Sequence, residues 1–264
     1  MSSRPVALTI AGSDPSGGAG LQADLKTFHQ HGVYGMSAVT LLTVQNTTSV
    51  SRVVTMEPSL VSEQIAACLS DIPPQAIKLG ALGSAEVVRA VAEALRSYEG
   101  PLVIDPVMVS KHGHALIDDD AVEACITVLF PRASLVTPNV PEALRLLRLS
   151  HDDATPQAEL AATLAKRFGV TFLLKGGHLE GTRAVDILAT PAGERAHFSA
   201  PRIDTTQTHG TGCTYAAAIA ANLARGLVLE DAIQAAKEWL TRALQEAPHL
   251  GHGIGPVSHF ASLQ

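Results

Sequence analysis

The stretch PVALTIAGSDPSGGAGLQADLKTFHQHG (residues 5–32) contains the unit that decides the fold of this chain. Residues 5–12 form an apolar run typical of a strand, and residues 20–32 have the spacing of an amphipathic helix that Gly32 ends. A loop of glycine and small polar residues separates the two. This order of elements predicts a sheet that is covered by helices.

The same alternation continues along the chain. Further strands are predicted at 36–44, 75–80, 101–107, 133–139 and 171–177, followed by a hairpin of 184–190 and 194–200. Helices are predicted near 58–70, 84–97, 118–129, 140–148, 156–168, 212–225 and 229–246. Because strands that are apolar throughout are buried on both faces, we expect an α/β fold, a three-layer α/β/α sandwich around a central, mainly parallel sheet. No linker or repeat divides residues 1–264, so a single domain is expected.

Composition argues against several classes of protein. The 264 residues are 46% hydrophobic and 17% charged, as in an ordinary globule. The net charge of −6 provides no basic surface for nucleic acid or a membrane, so an anionic small molecule would be held by local lysines and backbone amides. Three dispersed cysteines without a CxxC pair argue against disulfides or a zinc cluster. With no membrane span or secretory segment apparent, we expect a cytoplasmic protein.

Unusual polar and glycine residues follow the predicted strands. In open α/β sheets, ligands gather at the carboxyl ends of the strands. The segments at these ends are GSDPSGGAG, TVQN, DPVM, TPNVPE, KGGH and HGTGC. Their common placement predicts one site at this edge of the sheet.

The segment HGTGC (209–213) precedes an alanine-rich helix. Gly210 and Gly212 allow close backbone approach, and the first N–H groups of the helix attract negative charge. At this helix N-terminus we expect Cys213 to have a lowered pKa and to serve as a base or nucleophile. The alternative is a tight turn over a small buried cysteine.

Carboxylates at two strand ends suit Mg²⁺. Asp105 ends the strand LVID, and Asn139 and Glu142 lie three residues apart at the start of a helix. The alternative for Asn139 and Glu142 is an ordinary capping box. The histidines show no metal-binding spacing and are interpreted as non-ligands: His112, His178 and His209.

Other polar residues have a ligand-binding and a structural interpretation. Lys175 follows the buried run TFLL, where a phosphate is a suitable partner. The Gln45 amide can pair with a ring nitrogen and an exocyclic amine, or it can be a solvated loop side chain. Asp24 can favour the helix dipole or face a substrate hydroxyl. The loop 12–20 can cradle phosphate, although it is neither a Walker loop nor a GxGxxG motif, or it can be a mobile lid.

Together these segments resemble the ribokinase-like superfamily, and within it the hydroxymethylpyrimidine kinase / hydroxymethylpyrimidine-phosphate kinase family of thiamine biosynthesis. The similarity extends almost from end to end. It is carried by LTIAGSDPSGGAGLQADLKTF (8–28), GVYG (32–35), TVQNT (43–47), DPVMVSKHG (105–113), TPNVPEA (137–143), LLKGGHL (173–179), THGTGCTYAAAIAA (208–221) and GHGIGPVSHF (251–260). Sugar kinases of the superfamily usually have Asp where this chain has Cys213.

The resemblance implies an ATP- and Mg²⁺-dependent kinase of 4-amino-5-hydroxymethyl-2-methylpyrimidine and then of its monophosphate. It implies that Cys213 lies against the substrate hydroxymethyl group. The anion hole for the transferred phosphoryl group would be formed by Gly210, Thr211 and Gly212. ATP phosphates would contact Lys175 and Lys237, and Mg²⁺ would be held by Asp105 and Glu142, largely through water. The pyrimidine pocket would be lined by Gly12, Ala19, Asp24, Thr43, Gln45 and Val107.

One residue departs from the family pattern. The chain reads KLGAL where the family often reads KIGML, so Ala81 replaces a methionine of the substrate pocket. The wider pocket leaves room for pyridoxal. A pyridoxal/pyridoxine kinase and a non-catalytic pyrimidine binder are therefore kept as alternatives. The oligomeric state is left open, with a homodimer among the candidates.

Overall fold

One sheet organises the part of the chain that this computed structural model describes, residues 4–108, 117–177, 179 and 181–263. Its strands are β1 (Val6–Ser13), β2 (Tyr34–Gln45), β3 (Val50–Thr55), β4 (Ala76–Leu79), β5 (Leu102–Ile104), β6 (Leu135–Val136), β7 (Phe172–Leu174), β8 (Arg183–Thr190) and β9 (Gly193–Pro201). Their order is β3-β2-β1-β4-β5-β6-β7-β8-β9. The pairs from β2 to β7 are parallel, and β3, β8 and β9 add antiparallel edges.

Helices cover both faces of this sheet. They are α1 (Gly20–Gln30), α2 (Pro58–Asp71), α3 (Ala85–Ala94), α4 (Asp119–Ala124), α5 (Val140–Leu147), α6 (Gln157–Phe168), α7 (Thr211–Ala224) and α8 (Leu229–Gln245). No helix of the described residues is long and apolar enough to cross a lipid bilayer.

Alternate residues of the central strands enter two separate cores. Ile77 and Leu79 of β4 join a core with α2 to α6, whereas Ala76 of the same strand joins a core with α1, α7 and α8. Side chains of a strand point alternately to opposite faces, so the two cores lie on opposite sides of the sheet. The predicted three-layer α/β/α sandwich is confirmed, and the single domain stays a prediction.

Two differences from the predicted elements bear on the site. Strand β3 was missed because five of its six residues are exposed, so its sequence lacks an apolar run. Strands β5, β6 and β7 are shorter than predicted and end at Ile104, Val136 and Leu174. Asp105, Asn139 and Lys175 follow shortly after these strand ends and line a cavity.

Candidate active site

A cavity of about 1230 Å³ lies at the carboxyl ends of the parallel strands. Nearly all of the predicted site residues line it: Gly12, Ala19, Thr43, Gln45, Ala81, Asp105, Val107, Glu142, Lys175, Gly210, Thr211, Gly212, Cys213 and Lys237. We call its two parts the β2 end, around Gln45 and Cys213, and the β8 end, around Lys175 and Lys237. His112 and His178 lie outside the described residues.

The prediction that Asp24 lines the pocket is wrong. Helix α1 packs against the sheet and turns Asp24 inward, where it is fully buried. Its Oδ2 accepts hydrogen bonds from Thr9 Oγ1 at 2.6 Å and Lys78 Nζ at 2.8 Å. Burial raises the pKa of Asp24, although Lys78 opposes the shift. Asp24 therefore acts on the cavity through Lys78.

Lys78 is a cavity residue that the sequence interpretation missed. It occupies the middle of the apolar strand β4 and is completely buried. Burial alone would lower the pKa of Lys78, but Asp24, Cys213 and Asp105 outweigh it and raise the pKa above its ordinary value. A lysine inside an apolar strand needs a buried partner. Its position in the run QAIKLG could therefore have identified Lys78 as a residue of interest.

The glycines of the segment 210–212 bring backbone close to charged groups. Gly210 has a φ of 74°, and a Cβ placed on it would lie 1.8 Å from the carbonyl oxygen of Gly18. A Cβ on Gly212 would lie 3.3 Å from Lys175 Nζ and 3.6 Å from Asp105 Oδ2. Helix α7 begins at Thr211. Its first N–H groups and Lys175 therefore face one position, which suits an anion.

The expected lowering of the Cys213 pKa is wrong. Burial raises the pKa of this thiol to about 11, and the carboxylates of Asp105 and Asp24 add to the effect. Lys78 and the backbone N–H of Gly20 oppose it without reversing it. The thiol is therefore protonated at neutral pH and does not begin the reaction as a base.

Two carboxylates and one lysine meet beside Gly212. Lys175 Nζ donates to Asp105 Oδ1 at 2.8 Å, and Thr137 Oγ1 lies 3.3 Å from the same oxygen. Glu142 forms the alternative capping box with Asn139, each accepting the other's backbone N–H at 2.8 Å. Burial, with a smaller contribution from the charge of Asp105, raises the pKa of Glu142 to about 7 although Lys175 opposes the shift. Glu142 therefore both caps helix α5 and lies near Asp105.

Lys237 is held at the β8 end by a residue that the sequence interpretation missed. Its Nζ donates to Asp186 Oδ2 at 2.7 Å, while Asp186 Oδ1 accepts the backbone N–H of Gly176 at 3.0 Å. Asp186 lies within the predicted hairpin, where AVDILAT has one acid between apolar residues. This carboxylate therefore connects α8 to the loop that follows Lys175.

The chain matches the phosphomethylpyrimidine kinase family over residues 14–258. The chain belongs to this family. It is therefore a phosphotransferase, and the resemblance inferred from the motifs is confirmed.

Relatives within and beside the family agree with this assignment. The hydroxymethylpyrimidine/phosphomethylpyrimidine kinase of Escherichia coli K12 is 47% identical over 261 residues, which are 96% of this chain and 97% of the relative. A phosphomethylpyrimidine kinase from Clostridium difficile superposes with a TM-score of 0.78 at 39% identity and covers 91% of this chain and 100% of its own. An ADP complex of Bacillus subtilis pyridoxal kinase superposes with a TM-score of 0.88 at 34% identity, with 98% of each chain covered.

Proposed function

We propose that the protein is an ATP-dependent kinase of 4-amino-5-hydroxymethyl-2-methylpyrimidine that also phosphorylates the resulting monophosphate, in thiamine biosynthesis. The observation that carries the proposal is the position of Gly212, whose backbone faces Lys175 Nζ and Asp105 Oδ2 at the N-terminus of α7. Phosphoryl transfer depends on positioning and charge neutralisation, and this arrangement supplies both.

The β8 end suits the nucleotide. Lys175 and Lys237 would contact ATP phosphates, and the amides of 210–212 would form the anion hole. Each lysine has a carboxylate partner beside the cavity, Asp105 and Asp186. A phosphate could share or replace that partner without leaving the ammonium group uncompensated.

The β2 end suits the pyrimidine. Gln45 is half-buried at the end of β2 and lines the cavity with Gly12, Thr43 and Val107. Its amide would pair with a ring nitrogen and the neighbouring amine of an aminopyrimidine. Cys213, as a protonated thiol, would orient the hydroxymethyl oxygen by hydrogen bonding. The hydroxyl proton would pass to an oxygen of the transferred phosphoryl group late in the transfer, as the new oxygen–phosphorus bond forms and the bond to ADP breaks.

Asp105 and Glu142 suit Mg²⁺, because carboxylate oxygens are its preferred protein ligands and one or two are enough when phosphates and water complete the shell. Asp105 is buried and Glu142 is half-buried, and Lys175 is the cation that contacts Asp105 directly. When bound, Mg²⁺ would neutralise charge on the phosphate oxygens. Lys175 would remain on Asp105 and hold that carboxylate in place.

Pyridoxal is a second candidate substrate. Ala81 lines the cavity with a small side chain, and the pyridoxal kinase of Bacillus subtilis has the same fold. The two candidates differ at Gln45, since pyridoxal offers a phenolic oxygen and an aldehyde where the aminopyrimidine offers a matched acceptor and donor.

A coupled ADP-release assay with the pyrimidine alcohol, its monophosphate and pyridoxal in parallel tests the proposal. We expect ADP release with the first two acceptors and a much smaller rate with pyridoxal. A larger rate with pyridoxal would reverse the order of the candidates. Acceptor binding without any ADP release would instead support a non-catalytic binder.

A further inference from the structure

We propose that Asp14 and His209 form a positioning pair that holds the anion-hole segment 210–213 against the acceptor-pocket loop 12–20. The proposal rests on the proposed function, because it assigns the two segments to the two reacting groups. Asp14 and His209 lie 195 residues apart in the sequence. Neither was identified as a functional residue from its motif.

Asp14 is the centre of its loop. The carboxylate is buried, with 1% exposure. Its Oδ1 accepts the backbone N–H and the hydroxyl of Ser16, at 2.8 and 2.7 Å. Its Oδ2 accepts the N–H groups of Gly18 and Ala19 at 3.1 and 2.8 Å and lies 2.8 Å from His209 Nε2. The loop is therefore wrapped around one carboxylate, in contrast to the mobile lid that was the alternative interpretation.

These contacts leave Asp14 little capacity for a ligand. A carboxylate offers about four lone-pair positions, and the protein already directs five donors or ring atoms at this one. Burial alone would raise the pKa of Asp14, but hydrogen bonds from His209 and Ser16 outweigh it and lower the pKa. Asp14 thus lines the cavity as an ionised anchor and not as a substrate contact.

His209 connects this anchor to the anion hole. It immediately precedes Gly210 and is 3% exposed. Its backbone N–H donates to Gly255 of the C-terminal tail at 2.9 Å. A Cβ on Gly18 would lie 2.4 Å from His209 Cδ2, and one on Gly210 would lie 1.8 Å from the Gly18 oxygen. The two segments approach more closely than any side chain would allow, so the ring and the carboxylate define their separation.

The C-terminal tail also contacts His209 of this pair and the segment that follows β2. Ile254 donates its N–H to the Thr47 oxygen at 2.8 Å, two residues beyond Gln45. Gly255 then accepts from His209. The pair therefore sits where the loop 12–20, the end of β2 and the anion hole converge. Displacing reacting groups by about 1 Å can cost about a hundredfold in rate, so the pair is expected to matter for turnover.

Two substitutions of His209 separate a positioning role from simple packing. His209→Gln retains a side-chain N–H that can be directed at Asp14, whereas His209→Met fills similar space without any donor. We expect His209→Met to lower kcat about 10- to 100-fold with the ATP KM within about threefold of wild type. His209→Gln should retain kcat within about threefold. Equal losses in both variants would show that only the ring shape matters.

Asp14→Asn and the double variant Asp14→Asn/His209→Met test whether the two residues act as a unit. Residues in direct contact give non-additive effects. We expect the double variant to lose no more kcat than the more impaired single variant. Losses that multiply would overturn the pairing. Hydrogen exchange provides a readout without turnover: the amides of Gly18 and Ala19 should exchange faster in both Asp14→Asn and His209→Met.

Lys26→Met is the matched control. Lys26 is exposed, and its Nζ donates to the Gly17 oxygen of the same loop at 2.8 Å. We expect kcat and the exchange of Gly18 and Ala19 to be unchanged. All rates are measured relative to wild type, with the acceptor that the wild-type protein phosphorylates. If the proposed substrate is wrong, another acceptor is used and the comparison between variants still holds. Full kcat in both His209→Met and Asp14→Asn would overturn the proposal.

Discussion

The β2 end and the β8 end of the cavity contain similar ion pairs in different surroundings. Lys78–Asp24 has a nitrogen–oxygen distance of 2.8 Å, and Lys175–Asp105 and Lys237–Asp186 have distances of 2.8 and 2.7 Å. The side chains of Lys78 and Asp24 are 0% exposed, whereas Lys175 and Lys237 are 12% and 8% exposed. The three pairs therefore have nearly the same nitrogen–oxygen distance, but their lysines differ in exposure.

This difference in burial separates two uses of a lysine. A completely buried pair cannot exchange its partner, so Lys78 supplies a permanent positive charge beneath Cys213. A lysine at the cavity wall can share its charge between a carboxylate and a phosphate. The Lys78–Asp24 pair is therefore part of the core beneath the β2 end, whereas Lys175 and Lys237 of the β8 end are available to an anion.

Lys78→Met should cause the largest loss of stability. It leaves the Asp24 carboxylate buried without its cation, and breaking a buried pair in this way costs about 3–5 kcal/mol. Urea denaturation of the variant and wild type measures the loss. Lys78→Met/Asp24→Asn removes both charges and should recover most of the stability. A loss below about 1 kcal/mol in the single variant would show that Lys78 and Asp24 are not a closed buried pair.

Lys175→Met should affect turnover more than stability. Removal of one group that stabilises transition-state charge costs about 10²–10³ in kcat. The loss of unfolding free energy should be less than half of that in Lys78→Met, because Asp105 lines a cavity wide enough to admit water. Steady-state kinetics and urea denaturation are measured on the same preparation. A variant that turns over normally but unfolds readily would reverse the contrast.

Cys213 lines the cavity and is partly exposed, but it should react slowly with an alkylating reagent because the pKa of its thiol is raised. Raising its pKa from 9.0 to about 11 lowers the thiolate fraction at neutral pH about 100-fold. Thiolate is the attacking form, so the rate should rise about tenfold per pH unit from about pH 7 to about pH 9.5. Peptide mapping after timed alkylation measures it, with the urea-unfolded chain as control. A plateau below about pH 9 would show that the pKa of the Cys213 thiol is not raised.

Gln45→Met should have the smallest effect and report on the substrate. The substitution keeps the volume but removes the amide, and an unpaired polar group costs about 1–3 kcal/mol. We expect kcat/KM for the pyrimidine alcohol to fall about 10- to 100-fold. Pyridoxal turnover should fall much less and serves as the internal control. Equal losses on both acceptors would mean that Gln45 only shapes the end of β2.

Cys213 shows how a local rule can be correct and still be outweighed. A cysteine near a helix N-terminus favours the thiolate, and α7 does begin at Thr211. Burial and the carboxylates of Asp105 and Asp24 reverse the direction of the shift. Those carboxylates lie just after β5 and in α1, so the sequence of the segment HGTGC and of α7 contains no sign of them.

The layers of the fold, the edge of the sheet that holds the site and most of the residues that line it could be predicted from the amino-acid sequence alone. Strand alternation, the glycine segments and the Asn139–Glu142 capping box are local properties, and hydrophobic periodicity and capping patterns report them directly. Only the tertiary structure decided which charges meet. Asp24 and Lys78 are 54 residues apart, and Asp105 and Lys175 are 70 apart. Hydrophobic periodicity predicts which face of a helix or strand a side chain lies on. Which charged residue it then contacts depends on how distant elements are aligned in the sheet. The burial of that contact determines how far the pKa of each charged group shifts.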